Sequence, residues 1–220
     1  MFSVAIDGPS GAGKSTAAKK LAEILGVTYV DTGALYRALA LHALGNNIDI
    51  NCGAAVAEGL KGAEVGIKYI DGVQHVFLGG KDVSAEIRGE VVSAAVSTVA
   101  RYAEVRAFLL ETQRRLAREN SVIMDGRDIG TFVLPGADVK IFLTAAPEIR
   151  AKRRFDELVL RGEDVSYQDV LNGVIKRDRQ DENRGIAPLR RAEDAVLVDS
   201  SGLDFDETVQ KMLDIIRGKI

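Results

Sequence analysis

Gly8-Pro9-Ser10-Gly11-Ala12-Gly13-Lys14-Ser15 decides how this chain is read. The stretch fits G-x4-G-K-[ST] without mismatch. It follows the apolar run Phe2 to Ile6 and precedes the helical pattern Thr16 to Leu25, the strand–loop–helix context in which the pattern has physical meaning. Its glycines let backbone N–H groups turn inward around an anion, and a helix starting near Lys14 adds its positive end. Lys14 is expected to reach β- and γ-phosphates, and the Ser15 hydroxyl to ligate Mg²⁺. Gly8, Pro9, Ser10, Gly11, Ala12, Gly13, Lys14, Ser15 and Thr16 are therefore the candidate triphosphate-binding residues. The motif identifies a ligand class and leaves the reaction open, because switches and motors carry it too.

Working outward, four more short apolar runs follow: Thr28 to Val30, Val122 to Met124, Val139 to Leu143 and Val196 to Val198. Each is too short for a helix. Four of the five runs end at or just before an aspartate: Asp7, Asp31, Asp125 and Asp199. Polar residues at strand ends suit a parallel sheet, whose ligands sit beyond its carboxyl edge. Helical patterns fill most gaps, at Ala34 to Leu44, Ser93 to Glu119, Pro147 to Leu160, Ser166 to Asn183 and Asp206 to Ile216. The alternation predicts an α/β fold with a parallel sheet. One stretch breaks the rhythm: Val65 to Ile70, then Asp71-Gly72, then Val73 to Leu78. Asp-Gly joining two β-prone runs predicts an antiparallel hairpin inserted in the parallel fold, either a working part or an edge decoration.

The 220 residues carry a net charge of −3, with 46% hydrophobic and 28% charged residues. Such a chain can bury a core without disulfides, and its acidic balance argues against general nucleic-acid binding. A lone cysteine, Cys52, excludes a disulfide framework and a Cys-based zinc site, and His42 and His75 are too few for a His-based one. None of the three has an assigned role. No charged leader precedes an apolar run and no run approaches 18 apolar residues, so the cytoplasm is the expected compartment and no membrane partner is expected.

A switch or motor would be expected to show a strand ending in Asp-Glu or a guanine-reading tetrad, and neither is present. Arginines recur instead where a doubly wound sheet would gather them: Arg37, Arg106, Arg127, Arg177 and Arg184. The guanidinium fork pairs bidentately with phosphate and carboxylate. From Arg150 to Arg191 there are eleven Lys/Arg against eight Asp/Glu. That modest excess fits anion clamping, and it equally fits solvated helix faces.

The chain resembles the bacterial cytidylate kinases over essentially its whole length. The resemblance is carried by Ile6 to Thr16; by Asp31-Thr32-Gly33-Ala34-Leu35-Tyr36-Arg37; by Asp82-Val83-Ser84-Ala85-Glu86-Ile87-Arg88; by Gly126-Arg127-Asp128-Ile129-Gly130-Thr131; and by Arg177 to Leu189. The first block is shared with many families; the other four, in this order, are specific. The resemblance implies a P-loop three-layer fold with a five-stranded parallel sheet, a helical lid over ATP, and an enlarged monophosphate-binding insert containing the hairpin. The implied boundaries are a core of residues 1–35, 88–150 and 163–220, an insert of 60–87 and a lid of 151–162.

The implied reaction is ATP plus CMP or dCMP giving ADP plus CDP or dCDP, with Mg²⁺. Residue roles follow from the same resemblance. Thr32 stands where the family often has serine, at the cytosine edge. Arg106, Asp128 and Arg184 match positions around cytosine. Arg37 and Arg127 match the clamp on the monophosphate, and Ser97, Arg177 and Asp181 the ribose contacts. A lid arginine, Arg150, Arg153 or Arg154, is expected to reach the transferring phosphoryl group. Asp125 either holds a magnesium-bound water or only shapes the turn before Gly126. A monomer is implied. Two other readings stay open from the residues alone: a P-loop kinase for a different small acceptor such as shikimate, and an ATP-binding switch with no acceptor.

Overall fold

All five apolar runs form strands, each within a residue or two of its sequence limits. A computed structural model describes residues 1–220. In chain order the elements are β1 (Ser3–Asp7), α1 (Lys14–Leu25), β2 (Thr28–Asp31), α2 (Thr32–Gly45), α3 (Gly53–Leu60), β3 (Val65–Ile70), β4 (Val73–Leu78), β5 (Lys81–Asp82), α4 (Glu90–Val99), α5 (Ala103–Glu119), β6 (Val122–Gly126), β7 (Val139–Thr144), α6 (Pro147–Leu160), α7 (Tyr167–Glu182), β8 (Val196–Asp199) and α8 (Phe205–Arg217). A 3₁₀ turn covers Glu86–Arg88 and a π-helical turn Ile129–Val133. By its internal contacts the chain divides into two compact units, Met1–Thr28 with Asn120–Ile220, and Tyr29–Glu119. No helix is long and apolar enough to cross a membrane.

The five-stranded sheet has the order β2–β6–β1–β7–β8. β1 is central and runs parallel to both neighbours, with Asp7 beside Gly126 on one side and Phe142 on the other. β7 and β8 are also parallel, with Thr144 beside Asp199. The carboxyl ends of β1, β6 and β7 therefore lie at one edge, where the Gly8–Ser15 loop departs. Val4, Ala5, Ile6, Val122, Ile123, Met124, Val139 and Leu143 are fully or almost fully buried. Strands covered on both faces need such continuous apolar runs.

Residues 29–119 have their own core. Leu35 and Leu39 of α2 pack with Val56 and Leu60 of α3, Val96 and Val99 of α4, and Val105 and Leu109 of α5. The helical pattern Ser93 to Glu119 is two helices and not one. The reason is phase: a continuous helix burying Val92, Val96 and Val99 would next bury position 103, yet Val105 and Leu109 are the apolar residues. The break at residues 100–102 turns them into the same core. Tyr102 anchors it, its hydroxyl donating to the Ile50 carbonyl at 2.9 Å.

The Asp71-Gly72 hairpin forms with Ile70 opposite Val73. Both turn residues have positive φ, 50° and 76°, the conformation that a two-residue turn of this twist requires. β5 adds a short third strand. The hairpin is tied to the end of β2. Gln74 accepts from the Asp31 N–H at 2.8 Å and donates to the Asp31 carbonyl at 3.1 Å, and the Tyr69 hydroxyl donates to the Tyr29 carbonyl at 2.8 Å. It thereby fixes the backbone that leads into Thr32 and Arg37.

Candidate active site

The loop after β1 folds as the glycine pattern demands. Gly8 has φ 148°, and a Cβ there would collide with the Leu143 carbonyl of the neighbouring strand. Gly13, left-handed at φ 87°, is the N-cap of α1 and offers no side-chain cap. The first-turn N–H groups of α1 have no intrahelical acceptors, so that end of the helix is left to an anion. Gly11, Gly13, Ser15 and Thr16 are exposed, whereas Gly8, Pro9, Ala12 and Lys14 are buried and Ser10 is intermediate.

Lys14 donates to the Pro9 carbonyl at 2.7 Å. Burial, and then the charge of Arg127, hold its ammonium well below the usual lysine range, against the opposing pull of Asp125, Asp7 and Asp181. A polyphosphate would add negative charge beside this buried cation and favour its protonated form. Ser15 Oγ donates to Asp125 Oδ2 at 2.8 Å. A hydroxyl and a carboxylate this close are hard oxygen donors of the kind Mg²⁺ takes. No group of three or more His, Cys, Asp or Glu forms a metal site from protein alone.

Beside Lys14 lies a cluster of arginines. Arg127 Nε donates to Asp181 Oδ2 at 2.8 Å, and Arg127 Nη1 to its neighbour's carbonyl, Gly126, at 3.2 Å. Burial pushes the Asp181 carboxyl up, but Arg127, Arg184 and Arg177 outweigh it and hold the group below the usual carboxylate range. Three guanidiniums thus act on one buried carboxylate. Arg184 also donates to the Ala187 carbonyl at 2.9 Å. Asp128 is buried at the start of the π-helical turn.

The three candidate lid arginines have different surroundings. Arg150 is buried and fully engaged: it donates to both oxygens of Asp178 at 3.0 and 2.6 Å, to the Ser10 carbonyl at 3.0 Å and to the Ala145 carbonyl at 2.8 Å. Arg153 donates to the Ser200 carbonyl at 2.9 Å. Arg154 pairs at 3.0 Å with Glu157, one turn along the same helix, and both side chains are well exposed.

In residues 29–119 the expected residues sit as follows. Asp31 caps α2 by accepting from the Ala34 N–H at 3.0 Å, and its other oxygen lies 3.6 Å from Arg37 Nη1. Thr32 is buried in the first turn of α2. Arg106 is buried on α5, donates to the Ala100 carbonyl at 3.2 Å and lies 5.4 Å over the Tyr36 ring. Ser97 is half-buried on α4.

Sequence reasoning gave no role to Asp7, Asp178 or Tyr36. Asp7 had a visible signal, an aspartate closing the strand before the loop. Its Oδ1 accepts from the Ile129 N–H at 2.8 Å and its Oδ2 from the Gly130 N–H at 2.7 Å. Burial raises its carboxyl from 3.8 to about 7, with Asp128 adding to the rise, while the two N–H groups and Lys14 oppose it. A folded-state value above the unfolded one means that this group's stabilisation is complete below pH 3.8 and is lost as pH rises through about 7. The change is on the order of 4 kcal/mol. Denaturant titrations should show wild type losing stability relative to Asp7→Asn from pH 4 to 8; parallel pH profiles would contradict the assignment.

Comparison with known proteins gives one answer. The family model described as Cytidylate kinase matches residues 4–218. A protein of Caldicellulosiruptor bescii named Cytidylate kinase is 51% identical over 214 residues, covering 97% of this chain and 95% of the relative. One of Bacillus velezensis with the same name is 45% identical over 218 residues, covering 99% and 97%. Among solved structures, a gluconokinase from Sinorhizobium meliloti 1021 superposes with a TM-score of 0.50 at 18% identity, covering 99% of this chain and 93% of that one, a likeness of fold alone. With the phosphate loop intact and the family model spanning nearly every residue, the chain belongs to the cytidylate kinase family and is an enzyme of the P-loop kinase fold.

Proposed function

We propose that the protein transfers the γ-phosphoryl group of ATP to the phosphate of CMP or dCMP, giving ADP and CDP or dCDP. The observation that carries this reading is the pairing of two anion sites. The buried Lys14 of the phosphate loop lies within electrostatic reach of Arg127, and Arg127 shares Asp181 with Arg177 and Arg184. One polyanion suits each, and a kinase for a phosphorylated acceptor needs both. A shikimate-type acceptor would leave the second site without its phosphate.

The chemistry asks little of the protein beyond placement. The attacking atom is an oxygen of the CMP phosphate. A phosphate monoester with its second pKa near ~6 is mostly dianionic at pH 7, so no general base is required. The residues then act by positioning and by charge. Gly8 to Thr16 wrap the ATP phosphates, and Lys14 meets the β- and γ-groups. Ser15, with Asp125 behind it, would hold Mg²⁺, which when bound neutralises phosphate charge.

Arg127 and Arg37 hold the acceptor phosphate. Asp128 accepts from the 4-amino group of cytosine, where uracil presents a carbonyl oxygen that a carboxylate repels. Thr32, Arg106 and Arg184 complete the base contacts, and Ser97, Arg177 and Asp181 those to the ribose. A lid at residues 151–162 excludes water, without which ATP would be hydrolysed.

The test is a rapid-quench experiment with γ-labelled ATP, Mg²⁺ and CMP. Label is expected in CDP and only when CMP is present. Label in inorganic phosphate regardless of CMP would make the protein a hydrolase or switch.

A further inference from the structure

We infer that Asp7 is a positioning residue for acceptor recognition: it fixes the backbone that carries Asp128 and so maintains the preference for cytosine. The inference rests on the proposed reading of Asp128 as the group that meets the base.

The peptide unit that follows Asp128 is held at both ends. Its carbonyl oxygen accepts from the N–H of Phe132 at 2.9 Å and of Val133 at 3.1 Å, the second being the five-residue bond of a π-helical turn. Its N–H, that of Ile129, goes to Asp7 Oδ1, and the next N–H, of Gly130, goes to Asp7 Oδ2. Asp128 itself has φ −146° and ψ 25°, which belongs to neither helix nor strand, so no regular ladder holds it. Two consecutive amides converging on one carboxylate do. Such a fork needs two acceptors, and only a carboxylate supplies them in this space. An asparagine offers one oxygen and sets an NH₂ donor against the other N–H.

The carboxylate is also placed rigidly. Asp7 is the last residue of the central strand, 4% exposed, and Gly8 after it has no room for a Cβ. On the far side, Gly130 lies against the stem of Lys140. A Cβ on Gly130 would come to 3.1 Å from Lys140 Cδ and 3.3 Å from Asp7 Oδ2. Lys140 is fixed in turn, its Nζ donating to the Pro135 carbonyl at 2.6 Å and to Asp194 at 3.0 Å. The turn bearing Asp128 is thus clamped by Asp7 from one side and by Lys140 from the other. Asp7 joins the first residue of the phosphate loop to the base-reading turn through a single side chain. It touches neither ligand in this account.

Three full-length variants test this at pH 8, each assayed with CMP and with UMP: Asp7→Asn, Gly130→Ala and Asp128→Asn. Asp7→Asn removes one acceptor of the fork. Gly130→Ala presses on the same contact from the opposite side and carries the test if Asp7→Asn does not fold. Both are expected to raise KM for CMP and to lower the CMP-to-UMP ratio of kcat/KM by about tenfold to a hundredfold. KM for ATP should stay within about twofold in Gly130→Ala, which leaves both the phosphate loop and the charges around Lys14 unchanged.

A purely structural role would lower melting temperature or all kinetic constants together and leave the ratio intact; that result overturns the inference. If Asp128→Asn collapses the ratio while Asp7→Asn and Gly130→Ala preserve it, the positioning role falls and the base reading stands. If Asp128→Asn itself preserves the ratio, the base reading falls and this inference with it.

Discussion

Replacing Lys14 with methionine is expected to lower kcat by about 10³-fold while making the nucleotide-free protein more stable, not less. Removing one preorganised charge donor from a transition state costs roughly 10² to 10³ in rate, and Lys14 is the cation of the phosphate loop. Its stability effect has the opposite sign because of where the ammonium sits. It is 5% exposed and held below its ordinary pKa range by burial and by Arg127. A buried cation in that position is a strain on the empty protein that an apolar side chain of similar length relieves. Thermal melts without nucleotide, paired with turnover, check both halves. A variant that is less stable than wild type, or that retains turnover within tenfold, would contradict the assignment.

The second large effect separates the three arginines of α6. Arg154→Ala is expected to lower kcat by about 10²-fold or more with little change in KM for CMP, the pattern of a contact made only in the transition state. Only Arg154 is paired solely with an exposed partner, Glu157, so only it can swing away without exposing a buried acceptor. Arg150 is spent on Asp178 and two carbonyls. Arg150→Ala should act on stability instead, by about 3 kcal/mol, since it leaves Asp178 without its buried partner. Arg153 falls in the middle, donating to the carbonyl and the hydroxyl of Ser200. Steady-state kinetics and denaturant melts on the three alanine variants decide it. Near-wild-type kcat in Arg154→Ala would remove it from the mechanism.

Much of this fold is legible in local sequence pattern. The strand–loop–helix around Gly8 to Ser15, the five apolar runs and the Asp71-Gly72 hairpin are written in short-range chemistry, and the hairpin register follows from its two-residue turn. Features that depend on distant partners were not legible. The break separating α4 from α5 exists because Val105 and Leu109 must reach the core made by Leu35 and Leu39. The short helix Gly53–Leu60 carries two glycines and has no strong helical signal of its own.

The site divides the same way. Lys14 and Ser15 stand in a contiguous motif, and the family resemblance supplied the remaining candidates. The fork of Asp7 on Ile129 and Gly130 spans 122 and 123 residues, and the Arg150–Asp178 pair spans 28. A single sequence does not announce which aspartate faces which arginine at such separations. Three arginines of α6 look alike in sequence, and only their neighbours tell the two anchored on Asp178 and Ser200 from the one paired with Glu157.

The most direct test of the central claim is the ratio of kcat/KM for CMP to that for UMP, measured with ATP and Mg²⁺ alongside dCMP, AMP, GMP and shikimate. A site built to accept from the 4-amino group should leave buried groups unpaired with uracil, so CMP and dCMP should be used well and UMP at least about 10²-fold less efficiently. Equal use of CMP and UMP, or faster turnover with any other acceptor, would contradict the account.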